Sequence, residues 1–225
     1  MIRRWVKEQS LTLIFLVLFA LSLVGQSFAG LHDFNAEQAV HGGDEYSYWR
    51  YLVSSQFGGD VMENWQSEFL QFSLLILATV WLVQRGSTES KKVEDAGPES
   101  DEKERVGRHA PEKAPRWAKV KDWRLRLYEN SLGLAMLTIF LGTWFAQSVT
   151  NWTAYNAEQT EHGEATVTWV SFLGQADFWN RTLQNWQSEF LAVATMAAFS
   201  IYLRQRGSAE SKPVGASHDE TGSSS

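Results

Sequence analysis

Four apolar runs punctuate the chain, each bordered by polar, charged or tryptophan-rich sequence. They cover about Leu11–Ala29, Phe69–Val83, Leu132–Val149 and Phe190–Leu203. All four prolines (Pro98, Pro111, Pro115, Pro213) fall outside them, so nothing in the runs breaks a helix. A helix needs roughly 20 residues to cross a ~30 Å hydrocarbon core. The first and third runs reach that length unaided. The second and fourth reach it only if flanks such as Trp65-Gln66-Ser67-Glu68 lie at headgroup depth. A buried hairpin of a soluble protein is the competing reading, and it is the weaker one. Between the second and third runs, Ser87–Lys121 mixes both charges with few large apolar residues and predicts a mobile or only locally helical linker. Its basic, aromatic end, Trp117 to Arg126, suits a juxtamembrane anchor better than a lipid-surface helix. The Ser- and Gly-rich stretch after Lys212 predicts disorder.

The polar borders repeat. At an offset of 121 residues, Glu8–Lys91 aligns without a gap on Glu129–Lys212, with 31 of 84 positions identical. Asn64 to Leu70 and Asn185 to Leu191 both read NWQSEFL. Asn35-Ala36-Glu37-Gln38 and His41-Gly42 recur as Asn156-Ala157-Glu158-Gln159 and His162-Gly163. Gln84 to Ser87 recurs as Gln205 to Ser208. The chain therefore reads as two tandem two-helix units. The expected division is a first repeat at 1–86, a cytoplasmic linker at 87–124, a second repeat at 125–208 and a disordered tail at 209–225.

Charge orients the runs. Of 20 Lys and Arg, 18 lie before the first run, in Arg85–Arg126 or after the fourth run. Each inter-helix loop has one, Arg50 and Arg181. Positive residues stay inside, so both termini and the linker are expected in the cytoplasm and both loops outside. An even helix number per unit makes the repeats parallel rather than inverted. Arg3 and Arg4 before an apolar stretch, with Ser27-Phe28-Ala29 after it, also resemble a secretory signal. Because the equivalent third run lies mid-chain, the first is expected to be retained. The 11 Trp suit membrane–water interfaces, and the absence of Cys excludes disulfides and thiolate chemistry.

No phosphate-binding loop, G-x-S-x-G or H-E-x-x-H motif occurs, so a non-enzymatic role is expected. What remains is repeated polar residues on the outer side. Asn64, Ser67 and Glu68 share a helix face, as do Asn185, Ser188 and Glu189. Gln26 and Gln147, each followed by Ser, belong at similar depth. They outline a candidate site for a cation or proton, pointing into the bundle. The structural alternative, helix-terminal Glu and interhelical hydrogen bonds, carries more weight. Trp65 and Trp186 read as interfacial anchors before a ligand cage. Glu37 and His41, and Glu158 and His162, have the spacing of a helical metal pair. Capping by the following glycine is the stronger reading of each. Tyr46 to Leu52 and Val167 to Leu173 are expected to form short amphipathic segments on the outer surface.

The twin NWQSEFL, NAEQ-x-x-HG and QRGS-x-ESK motifs resemble an uncharacterised bacterial family of duplicated four-helix membrane proteins, a domain of unknown function. That resemblance implies an inner-membrane location and supplies no activity, cofactor or catalytic residue. The expectation is an all-α four-helix transmembrane bundle in contact with the lipid bilayer. A homo-oligomer remains open, a cation or proton is the expected ligand, and nothing points to nucleic acid. Three roles compete: a small channel, carrier or cation-responsive protein; a structural or interaction protein working through its linker and loops; and a metalloenzyme using Glu37, His41 and Glu68.

Overall fold

Leu, Phe, Val and Ala dominate the first apolar run, and no Gly or Pro follows until Gly25, so helix propagates without interruption. In the computed structural model of the chain, residues 2–222 are described. Met1 and the last three residues of the expected tail, 223–225, lie outside the described residues. The regular structure of the described residues is all α. Its eight helices are α1 (Ile2–Glu8), α2 (Ser10–His41), α3 (Tyr48–Leu52), α4 (Ser55–Trp81), α5 (Trp123–Glu129), α6 (Ser131–Glu161), α7 (Trp169–Phe172) and α8 (Ala176–Tyr202). The linker carries only short 3₁₀ turns at Val93–Asp95, Gly107–His109 and Arg116–Lys119.

The helices outrun the apolar runs that predict them. α2 continues past Ala29 to His41, and α6 past Val149 to Glu161. α4 and α8 start well before Phe69 and Phe190. Polarity does not end a helix; a cap does. Gly42 stops α2 with φ 72°, donating its N–H to the Gln38 carbonyl. Gly163, with φ 70°, lies two residues past the end of α6 and donates its N–H to the Thr160 carbonyl. Two helices, α2 and α6, are long and apolar enough to cross a membrane by length and composition. α4 and α8, at 27 residues each, are long enough, but their first halves are polar. The large apolar side chains of α2 are largely exposed, Leu11, Phe15 and Leu21 among them.

Two compact units divide the chain. The first takes in Met1–Val61 and Gln147–Val167. Here α3 folds back on α2: Tyr48 stacks on Phe28 at 4.7 Å between ring centres and meets the Ser27 hydroxyl at 3.0 Å. Tyr51, 1% exposed, lies beside Phe34 and Phe57, and its hydroxyl fills the space a side chain at Gly30 would need. Burial, then the charges of Asp60 and Asp33, push that hydroxyl's pKa up to about 12. Gly58 and Gly59 open α4 to close approach by Thr150 and Asn151; a Cβ on Gly59 would lie 2.5 Å from the Asn151 amide oxygen.

The second unit takes in Met62–Ala146 and Thr168–Ser225. Its centre is aromatic. Trp144 lies parallel to Phe140 and Phe178 and tilts against Trp186. Phe172, fully buried, meets Phe178 at 5.7 Å. The tail is tied to the ends of α4 and α8. Lys212, 3% exposed, donates through Nζ to the carbonyls of Gly86, Ser217, His218 and Glu220. Arg204 donates to the Ala216 carbonyl, and the Gly222 N–H to that of Ser87. The composition that predicts disorder in this stretch takes no account of a buried ammonium that collects its carbonyls.

Candidate functional site

The NWQSEFL segments lie within α4 and α8, so their side chains distribute by helical period. In α4 the turn that faces protein carries Gln66 and Ser67, 0% and 1% exposed. Ser67 Oγ donates to the Asn64 carbonyl at 3.0 Å and to Glu189 Oε1 at 3.3 Å. Gln66 Oε1 accepts from Trp186 Nε1 at 2.8 Å. Farther along, Arg181 reaches Glu63 at 3.5 Å and Asp177 at 3.4 Å. The two NWQSEFL segments thus meet each other within the second unit, and the Glu68 carboxylate feels the charge of Glu189.

The copies are not equivalent. Glu189 is half-buried and accepts a hydrogen bond, whereas Glu68 is exposed; Ser188 and Gln187 are exposed where Ser67 and Gln66 are buried. Of the two carboxylates expected to point inward, Glu189 is the one set against a buried hydroxyl. An unpaired charge inside is costly, and the hydroxyl of Ser67 offsets that cost for one carboxylate only. Asn185 is half-buried, with its amide on the Arg181 carbonyl, and Ser188 bonds back to the Asn185 carbonyl. Trp186 is half-buried and donates its N–H to Gln66.

Among the described residues, several buried polar atoms near this contact have no hydrogen-bond partner. They are Gln66 Nε2, Trp144 Nε1 and Thr182 Oγ1, all in the second unit. Thr182 is fully buried one turn from Trp186 and Phe178 on the same face of α8. Each such atom costs about 1–3 kcal/mol unless water or a ligand satisfies it. On α6, Thr143, Gln147 and Asn151 form a buried polar stripe at four-residue spacing. Gln147 is fully buried with both amide atoms unpartnered, while Gln26 on α2 is half-buried. Gln66 lies in the repeated NWQSEFL but is not among the residues the sequence singles out, and Trp144 and Thr182 have no identical counterpart.

The NAEQ motifs prove to be loop clamps. Asn35 Oδ1 accepts from the Tyr46 N–H at 2.7 Å and its Nδ2 donates to the Tyr46 carbonyl at 2.9 Å. Asn156 grips the Val167 backbone in the same way, at 2.8 and 2.9 Å. Glu37 and Glu158 are exposed, as are His41 and His162. Among the described residues no group of three or more His, Asp or Glu is placed to hold a metal ion.

These features define an all-α protein with two helices apolar enough to span a membrane and a polar contact between two related helical segments. It belongs to the family described as DUF6766, a domain of unknown function, whose model matches residues 2–223. No curated protein and no solved structure shows a significant match to the chain.

Proposed function

We propose that the chain is a four-span membrane protein of the bacterial inner membrane, with termini and linker in the cytoplasm, that responds to cations or protons through the contact of its two NWQSEFL segments. α4 and α8 cross with α2 and α6, their polar first halves lying against protein and at headgroup depth. The hydrogen bond from Ser67 to Glu189 carries the reading. It holds one carboxylate against a buried hydroxyl, within the field of a second carboxylate. A cation or proton taken up there relieves the repulsion between Glu68 and Glu189. The unpartnered Gln66, Trp144 and Thr182 atoms supply places for the water that would accompany it. Retention of the first helix is supported by its continuity through Ala29 and by the hold of Tyr48 on Ser27 and Phe28.

The test is thermal unfolding of the purified protein in detergent against Na⁺, K⁺, Mg²⁺ and Ca²⁺. The parent should gain stability with at least one of these ions, and Glu189→Gln should fold but lose that gain. Proteoliposome flux of the same ion, if the protein conducts, should fall with it. An unchanged cation response in Glu189→Gln would defeat the proposal and leave the contact as helix packing.

A further inference from the structure

The outer part of the first unit presents a second arrangement that the carboxylate contact does not use. His41 is the last residue of α2, and His162 directly follows the last residue of α6. Their rings stand edge to face with centres 6.3 Å apart. Both are exposed, and each is followed by a glycine in the left-handed region, φ 72° at Gly42 and φ 70° at Gly163. The caps fix where each helix stops and hence where each imidazole is presented. The two residues are counterparts at the 121-residue offset, so one sequence feature present twice is brought together as a pair.

The sequence spacing suggested a Glu–His couple within each helix, yet the observed neighbour of each imidazole is the other imidazole. Two imidazoles on one zinc ion have ring centres about 5–6 Å apart, given metal–nitrogen bonds of about 2.0–2.1 Å. Modest side-chain rotation therefore brings both rings onto one ion. The local charge favours it. Residues 30–61 and 147–167 carry eight acidic side chains and one basic one, Arg50. Such a field concentrates divalent cations.

We propose that His41 and His162 together bind one transition-metal ion of the zinc, copper or nickel type, linking the ends of α2 and α6 on the outer face. Neutral imidazole nitrogens suit these metals and not Mg²⁺ or Ca²⁺, which prefer oxygen. Among the described residues no third His, Asp or Glu completes the set, so water fills the other positions and affinity is modest. A bound ion adds a crosslink between two helix ends far apart in sequence. The proposal is independent of the Ser67–Glu189 reading: it concerns other residues, another unit and another class of cation.

The experiment uses the full chain without a polyhistidine tag. Titration with Zn²⁺ followed by calorimetry should give one site per chain, and Zn²⁺ should raise the unfolding temperature where Mg²⁺ and Ca²⁺ do not through these residues. His41→Asn and His162→Asn should each keep the parent's helical circular dichroism and each abolish the site. Copper supplies a spectroscopic readout of the ligands. The Cu²⁺ electron paramagnetic resonance spectrum of the parent should show two equatorial nitrogens, and each single variant should show at most one. Zinc binding that survives either substitution, stoichiometry that merely halves in each, or a parent copper spectrum without paired nitrogens would overturn the proposal.

Discussion

Single side chains that bond to backbone account for much of what the repeated motifs do. Asn35 makes both its bonds to Tyr46, satisfying the N–H and carbonyl of one loop residue at once. No other uncharged side chain except Gln offers a donor and an acceptor in that fork, and Gln is a methylene too long. Asn35→Ala should therefore destabilise the protein by about 1–3 kcal/mol, as two backbone groups lose their partners. Asn156→Ala should cost less, because only the Val167 N–H loses its partner while the Val167 carbonyl keeps its bond from Trp152 Nε1. Asn35→Asp keeps the acceptor and loses the donor, so it should fall between parent and alanine. Chemical unfolding monitored by circular dichroism decides; an Asn35→Ala variant as stable as the parent would show that the loop needs no clamp.

At the scale of elements, the QRGS-x-ESK copy that follows α4 meets both the end of α8 and the copy that follows α8. Ser87 Oγ and Ser200 Oγ lie 3.1 Å apart, and Thr88 Oγ1 donates to the Glu210 carbonyl at 3.4 Å. Glu89 and Glu210, counterparts at the same offset, share a hydrogen bond. Burial first, and then Glu210, raises the Glu89 pKa above the ordinary carboxylate range. A carboxyl whose folded value is raised contributes stability that is full below its unfolded value and is lost as pH rises through the folded one. Acidification from neutrality should thus tighten this contact. Glu89→Gln supplies a permanent donor and should be more stable than the parent at pH 7, by less than about 1 kcal/mol because the site is partly solvated. The gap should close as pH falls toward 4.5. Melting curves of both proteins across that range test it; a gap independent of pH would remove the shared proton.

For the whole molecule, the distribution of basic residues sets the orientation expected in a bilayer. The absence of cysteine makes that orientation easy to read, because a single introduced thiol is the only one present. Glu102→Cys in the linker and Asp44→Cys beyond α2 are both exposed positions. In intact cells an impermeant maleimide should label Cys at 44 and reach 102 only after lysis. Labelling of position 102 from outside would reverse the topology, and equal labelling of both would put α4 outside the bilayer. Either result would overturn the outward placement proposed for the carboxylate contact.

The apolar runs and the 121-residue offset determined the helical class, the four long helices and the family resemblance, because those properties depend on local sequence and its period. Helix ends were legible where glycine follows a histidine, since a left-handed cap is a local requirement. Tertiary structure decided what the copies do. Identical NWQSEFL segments have the same propensities, yet they sit in different surroundings, so Ser67 is buried and Ser188 exposed, and Glu189 rather than Glu68 accepts the bond. The same holds for the partner of His41, which is His162 and not Glu37. It holds also for Lys212, whose burial among four carbonyls depends on chain segments that the residue's own neighbourhood does not specify. Local sequence sets periodicity and caps; long-range packing sets solvation, and solvation decides which of two identical polar groups is held against a partner.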